Sequence, residues 1–143
     1  MLRLRLNPGE EVIVNGAVLR NGDRRNVLTV ANAANVLRAR DLIRAEDAVT
    51  PSRQVCFLIQ AIMLANGSDK SNVKPKIRDM LADMYVRFAS DEAKAQIIEV
   101  MDQFSSEDYY KSLNAMKKLV IYEDSLLGRD RAAEGGKPDV NAY

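Results

Sequence analysis

The chain has 143 residues, which is enough for one compact domain, or a small domain with a helical extension, but not for two full enzyme domains. It contains no histidine and a single cysteine, so catalysis by Ser-His or Cys-His pairs, an intrachain disulfide and a thiolate metal cluster are excluded. The net charge of +1 gives the whole chain no general attraction to nucleic acid, and only a local excess of charge could select such a partner.

Positive charge is concentrated at the start of the chain. Residues 1–44 hold eight arginines, no lysine and four acidic residues, whereas residues 51–128 hold ten basic and eleven acidic residues. The hydropathy pattern changes near the same place. We therefore predict an arginine-rich antiparallel β region at 1–49, a helical region at 50–128 and a disordered tail at 129–143.

The β region is predicted to begin with a strand at 2–6, where leucines alternate with Arg3 and Arg5 as in a strand with one buried face. A second strand at 12–14 is followed by Asn15-Gly16, the pair that best tolerates the positive φ angles of a two-residue hairpin turn. A returning strand then covers 17–20. Asn21-Gly22 is predicted to open another turn. Further strands at 27–30 and 36–38 would complete a meander or a small barrel-like sheet.

The helical region is predicted to contain four amphipathic helices. Thr50-Pro51 is typical of a helix start and Asn66-Gly67 of a helix end. Apolar spacing indicates further helices at about 72–88, from Ser90 to 104, and from 109 to about 128. Ser105 and Asp108 resemble a capping box for the last helix. The pattern as a whole predicts an α+β fold, with a small N-terminal antiparallel sheet or barrel-like meander followed by a C-terminal bundle of about four helices.

Arginines of the β region are the candidate RNA-binding residues. The segment 15–25 places three of them beside two Asn-Gly turns, two share the outward face of the first strand, and two follow at even offsets near the last strand. Guanidinium groups offer paired donors that match phosphate oxygens and guanine edges. The candidates are Arg3, Arg5, Arg20, Arg24, Arg25, Arg38 and Arg40.

These arginines also have an ordinary structural explanation. A solvated strand face is normally polar, and charges on an edge strand prevent unwanted pairing. No aromatic residue precedes Phe57, so the sheet lacks the platforms on which RNA-recognition motifs and cold-shock domains stack bases. Any RNA contact of the sheet would have to use arginines on phosphates and base edges.

No cofactor, metal site or enzymatic activity is predicted. The acidic pairs at 46–47, 91–92 and 107–108 each precede or begin a predicted helix, where acids favour the positive end of the helix dipole. Cys56 lies in an apolar helix, which is typical of an unreactive core residue. The tyrosines and methionines of the helical region are expected in the core, or on a partner-docking surface if one stripe stays exposed.

No export signal or membrane association is expected. Arg3 and Arg5 interrupt the apolar start that a signal peptide would need. The most apolar segment, residues 55–65, is about half the length of the roughly 20 residues that cross a bilayer. With one cysteine, the chain suits the reducing cytoplasm.

Two segments of the sequence resemble a known family. LRLNPGEEVIVNGAVLRNGDRR and NVLRARDLIRAEDAVTPSRQVCFLIQ resemble the FlbT family of flagellar-biosynthesis repressors of alpha-proteobacteria, most strongly from Leu2 to about Ala65. The resemblance implies a post-transcriptional regulator that acts on the 5′ leader of flagellin messenger RNA and lowers its translation or lifetime, although some relatives activate. It also implies a companion regulator, FlaF, or flagellin itself as a protein partner.

Two hypotheses of different classes follow. In the first, the arginine-bearing sheet binds the RNA leader, and the helices provide rigidity, partner docking or contacts of a homo-oligomer. In the second, the chain is an adaptor whose helices bind flagellin or a regulatory partner, and its effect on RNA is indirect. Binding dominated by phosphate contacts weakens steeply as salt rises, whereas an apolar groove is far less sensitive.

Overall fold

The computed structural model describes residues 1–65 and 72–128. The predicted helix end at Asn66-Gly67 and the predicted disordered tail at 129–143 lie outside these residues. Five strands precede four helices, which confirms the predicted α+β fold class. The strands are β1 (Leu2–Leu6), β2 (Glu11–Val14), β3 (Ala17–Arg20), β4 (Asn26–Val30) and β5 (Val36–Arg38); the helices are α1 (Pro51–Ala65), α2 (Val73–Arg87), α3 (Asp91–Ser105) and α4 (Tyr109–Leu126).

The strands form two small antiparallel sheets rather than one sheet in sequence order. β1 pairs with β4, with Leu4 opposite Leu28, and the second sheet has the order β3-β2-β5. In the second sheet Ile13 of β2 lies opposite Val18 of β3 on one side and Leu37 of β5 on the other. Along the chain, the β2–β3 hairpin thus lies between β1 and β4, although these two strands pair directly with each other.

The two Asn-Gly pairs play different roles. Asn15 and Gly16 have φ angles of 49° and 84°, which confirms the two-residue hairpin turn between β2 and β3. Asn21 and Gly22 have no positive φ. Instead, the side-chain amide of Asn21 donates to the carbonyls of Leu6, at 3.2 Å, and of Arg24, at 2.8 Å. Asn21 therefore ties the segment after β3 to the end of β1.

Side-chain caps fix the starts of α3 and α4. Pro51 is the first residue of α1, as predicted, and Ser90 caps α3 by accepting from the N–H of Ala93 at 3.2 Å. The capping box predicted for α4 is wrong in its details, because Ser105 is still the last residue of α3. Asp108 itself caps α4 through the N–H of Lys111 at 3.2 Å.

Apolar side chains form two cores. The larger core lies among the four helices and includes Leu37 of β5, which faces them. The smaller core lies between the two sheets and contains Leu4, Leu6, Val12 and Val36. Because β2 buries Val12 on one side and Ile13 on the other, the three-stranded sheet is the middle layer between the β1–β4 sheet and the helices.

Buried polar contacts connect distant parts of the chain. The carboxamide of Gln60 on α1 accepts from the N–H of Ile43 at 2.8 Å and donates to its carbonyl at 2.9 Å, which anchors the segment between the β region and α1. At the other end of α1, Arg53 forms two hydrogen bonds with Asp124 of α4, at 2.6 and 2.8 Å. Glu123 accepts from the backbone N–H of Ser52 at 3.0 Å.

Candidate nucleic-acid interface

Arg3 and Arg5 lie on the outward face of β1. Their neighbours Leu4 and Leu6 are buried in the smaller core, whereas both arginines are exposed. In the register of the sheet, Arg5 lies opposite Val27, which is also exposed. Among the residues that the structure describes, the guanidinium of neither arginine has a salt bridge or hydrogen-bond partner.

Arg24 and Arg25 are exposed in the turn that precedes β4. The amide of Asn21 binds the carbonyls of Asn7 and Arg24, each at 2.8 Å, and therefore holds this turn against the end of β1. Neither guanidinium is paired with a carboxylate of the described chain. Arg3, Arg5, Arg24 and Arg25 are thus exposed and have no carboxylate partner in the described chain. We refer to these four residues of β1 and of the turn before β4 as the β1–β4 arginine surface.

Arg20 is paired across the hairpin. It lies opposite Glu11 in the register of β2 and β3, and its Nε and Nη2 atoms both donate to Oε2 of Glu11, at 2.9 and 2.7 Å. The side chain of Arg20 nevertheless remains 73% exposed. Its charge is balanced locally, but an edge of its guanidinium is still open to solvent.

Glu10 binds two further candidate arginines. Its Oε2 atom lies 2.7 Å from Nη1 of Arg38 and 3.7 Å from Nε of Arg40, and its Oε1 accepts from the N–H of Asn7 at 2.9 Å. Burial raises the pKa of Glu10, but the hydrogen bonds from Asn7 and Arg38 and the charges of both arginines outweigh burial and lower the pKa. Arg38 also donates to the carbonyl of Arg5 at 3.0 Å, and its side chain is only 16% exposed. Arg38 therefore connects β5 to β1.

We expect the substitution Glu10→Gln to lower the free energy of unfolding by about 1.5 kcal/mol or more at neutral pH, because a hydrogen bond to a charged group typically contributes that much. A carboxyl whose pKa is lowered by folding stabilises the fold above its ordinary pKa of 4.5, and this contribution is lost as the pH falls through the lowered value. The difference between wild type and variant should therefore vanish in acid. Urea denaturation at several pH values measures it.

The matched control is Glu11→Gln in the adjacent, more exposed pair with Arg20. Exposed ion pairs contribute about 0–1 kcal/mol, so this variant should stay close to wild type. Equal losses for the two variants, or a loss for Glu10→Gln that does not depend on pH, would contradict the role assigned to Glu10.

The acidic residues and the cysteine that were considered for metal binding or catalysis have structural roles. Asp108 caps α4, Glu107 lies 2.9 Å from the Nζ atom of Lys74, and Arg44 lies against the acidic pair at 46–47. Burial raises the pKa of Cys56 to about 12, so this thiol stays protonated near neutral pH. Among the described residues there is no group of three carboxylate or cysteine side chains that could hold a metal ion.

The sequence patterns do not indicate the roles of Asn21, Glu10 and Glu11 at the interface. Asn21 positions Arg24, and the two glutamates balance Arg20, Arg38 and Arg40. The adjacent acids Glu10 and Glu11, in an otherwise basic region, did indicate that some arginines would be paired. They carried no information on which arginines these would be, because Glu10 and Arg38 are 28 positions apart.

Comparison with known proteins identifies the family. The model of the family described as "Flagellar protein FlbT" matches residues 2–127. The chain belongs to the FlbT family. It is 33% identical over 130 residues to the probable flagellum biosynthesis repressor protein FlbT of Caulobacter sp. (strain K31), covering 89% of this chain and 96% of that protein. It is 34% identical over 128 residues to the flagellum biosynthesis repressor protein FlbT of Caulobacter vibrioides (strain ATCC 19089 / CIP 103742 / CB 15), covering 89% of each.

The FlbT match extends over both halves of the fold. Residues 2–127 include all seven candidate arginines and the four helices, so the arginine surface is part of the family region. The FlbT relatives are named as repressors, which describes a regulatory family rather than an enzyme family. No solved structure matches the chain. Within the described residues, no helix is both long and apolar enough to span a lipid bilayer.

Proposed function

We propose that this chain is a cytoplasmic repressor of flagellum biosynthesis that binds the 5′ leader of flagellin messenger RNA and lowers its translation or lifetime as flagellum assembly demands. The repressor role is supported by the names of the FlbT relatives. The observation that supports RNA contact is the β1–β4 arginine surface, in which four exposed guanidinium groups have no carboxylate partner in the described chain. Such groups are available to phosphates without first breaking an internal salt bridge.

The chemistry of arginine defines how this surface would bind. Each guanidinium presents a planar set of donors that can contact two phosphate oxygens, or the O6 and N7 atoms of guanine, at the same time. Arg20 and Arg40 are exposed but lie against Glu11 and Glu10, so they would contribute less. Arg38 is mostly buried and would act by supporting the backbone of Arg5.

The test is a titration of the purified protein with flagellin leader RNA, comparing wild type with the double variant Arg24→Ala, Arg25→Ala. We expect the dissociation constant to rise about tenfold or more. The slope of log affinity against log salt should fall by about 1.4 to 1.8, because each lost phosphate contact removes about 0.7 to 0.9. Stability should change by only about 0.5 kcal/mol, because both side chains are exposed.

The control is the double variant Arg44→Ala, Arg87→Ala, which removes the same charge from two exposed arginines outside the arginine surface. Its affinity should remain near that of wild type. An equal loss for both double variants would indicate attraction by overall charge. Full RNA binding by a folded Arg24→Ala, Arg25→Ala protein would remove the assignment of this surface.

A groove between α3 and α4 favours the second candidate function, an adaptor that binds flagellin or a FlaF-type regulator. The groove has a volume of about 390 Å³ and is lined by Ala93, Leu119, Ile121 and Tyr122, with Glu92 and Lys118 also in its walls. Ile121 is 45% exposed. Repeating the RNA titration with and without a FlaF-type protein separates the two functions, since an adaptor would bind RNA only with its partner present and with little dependence on its own arginines.

A further inference from the structure

β3 is an open edge of the three-stranded sheet. It pairs with β2 on one side only, and all four of its residues are exposed. The exposed residues include two large apolar side chains, with Val18 61% exposed and Leu19 44% exposed. Because successive residues of a strand point to opposite faces, β3 presents apolar surface on both faces of the sheet.

The backbone of β3 has hydrogen-bonding groups directed away from β2. Val14 and Ala17 flank the two-residue turn and form the hydrogen-bonded pair that closes it. The N–H of Asn21 donates to the carbonyl of Glu10 at 2.9 Å, which continues the same alternation. By this alternation, Ala17, Leu19 and Asn21 direct their N–H and C=O groups towards β2. The N–H and C=O groups of Val18 and Arg20 therefore point outward to the open edge.

The edge lacks most of the features that normally prevent strand pairing. Soluble proteins protect open edges with very short strands, lysine, proline, bulges or inward-pointing charges. β3 is short, with the sequence AVLR, but it has no lysine or proline, and its one charged residue, Arg20, is already balanced by Glu11. An edge of this kind is a template for another strand.

We propose that the edge is covered by β3 of a second copy of this chain, paired antiparallel about a two-fold axis that passes beside Leu19. In this register Val18 lies opposite Arg20 of the second copy. The four outward N–H and C=O groups of each copy then form four hydrogen bonds in total. The three-stranded sheets of the two copies join into one continuous sheet.

Charge and packing favour a second copy in this register. A register that placed Arg20 opposite Arg20 would set like charges against each other, whereas here each Arg20 faces Val18 and remains balanced by its own Glu11. Leu19 lies opposite Val12 in the hairpin, so it is on the face of the smaller core. Contact between the two Leu19 side chains would therefore join the small cores of both copies.

The proposed interface is small. Two four-residue strands bury much less than the roughly 1,200 Å² of the smallest standard interfaces. We therefore expect a dimer that dissociates at low concentration rather than an obligate one. Each copy would contribute one β1–β4 arginine surface to the assembly.

The decisive experiment is cross-linking of Leu19→Cys in the full chain, without RNA. Leu19 would form a non-hydrogen-bonded pair with its copy, with a Cα separation of about 4.5 Å, which lies within the range of a disulfide. Mild oxidation should yield a disulfide-linked dimer. Native Cys56 is fully buried and does not compete. The matched control is Val27→Cys, at an exposed position on β4 with similar exposure (50%).

Charge variants at the same position provide a second measurement. Leu19→Lys alone and Leu19→Glu alone should be monomeric in sedimentation equilibrium at concentrations where wild type dimerises, and an equimolar mixture of the two should form a heterodimer. The proposal is overturned if wild type stays monomeric at every concentration, if Leu19→Cys cross-links no faster than Val27→Cys, or if the edge binds only a different protein. None of these results depends on RNA, so they leave the proposed function untouched.

Discussion

Replacing Arg53 with alanine is expected to lower the free energy of unfolding by about 3 to 5 kcal/mol, the usual cost of removing one partner of a buried ion pair. The side chain of Arg53 is 14% exposed and that of Asp124 is 5% exposed. Their two hydrogen bonds join residues 71 positions apart, at the start of α1 and near the end of α4. The variant removes both of these hydrogen bonds from the buried carboxylate of Asp124. Urea denaturation followed by circular dichroism measures the loss.

Two further variants test the reason for this effect. Arg53→Lys keeps the charge but cannot present the paired donors of a guanidinium, so it should recover only part of the stability. Arg87→Ala removes the exposed pair with Asp83 on α2 and should change stability by less than about 1 kcal/mol. If Arg53→Ala and Arg87→Ala had equal effects, the Arg53–Asp124 pair would not stabilise the helical core.

Local patterns in the sequence were sufficient to predict most of the elements. Apolar residues at helical spacing and the Thr50-Pro51 start predicted α1 from its first residue. Alternating leucines predicted β1, and Asn15-Gly16 predicted its hairpin because a turn with two positive φ angles needs residues of this type. These features depend on residues a few positions apart, so a single sequence contains the information.

Long-range pairing was not predictable in the same way. The pairing of β1 with β4 is not specified by any turn, because the β2–β3 hairpin lies between them in the chain. The second Asn-Gly pair has the composition of a hairpin turn, but the side chain of Asn21 instead binds backbone carbonyls at the end of β1 and in its own turn. Its role depends on where β1 ends, which local sequence does not determine.

In the candidate site too, local features were predictable from the sequence and long-range contacts were not. Sequence alternation placed Arg3 and Arg5 on one outward face, and the structure puts them there. Nothing in the sequence distinguished among the seven candidate arginines. In the folded chain, Glu11 forms a salt bridge with Arg20, and Glu10 forms salt bridges with Arg38 and Arg40. The difference arises from ion pairs that form only after the strands have paired, so the set of unpaired arginines is a property of the fold rather than of composition.

Gln60 is a polar residue within the apolar segment 55–65, and the structure explains why it is there. It breaks the apolar run of α1, yet its side chain is buried, with 6% exposure, and binds both backbone groups of Ile43. Gln60→Leu would keep the volume but leave the N–H and C=O of Ile43 without these partners, each at a cost of about 1 to 3 kcal/mol. We expect a loss of about 3 kcal/mol or more in urea denaturation, and faster hydrogen exchange at the amide of Ile43.

The matched control for this loss is Gln96→Leu on α3, where the side chain makes one hydrogen bond within the described residues, to the carbonyl of Ala115 at 2.9 Å. Its cost should be about 1 kcal/mol, because only one net hydrogen bond is lost. Gln60→Glu adds a further test, since a carboxylate can still accept from the N–H of Ile43 but repels its carbonyl. In the Gln60→Glu variant, protection of the Ile43 amide from hydrogen exchange should lie between that of wild type and that of Gln60→Leu. The variant should still be less stable than wild type. A Gln60→Leu protein as stable as Gln96→Leu would show that Ile43 finds other partners, and that Gln60 does not fix the β region to α1.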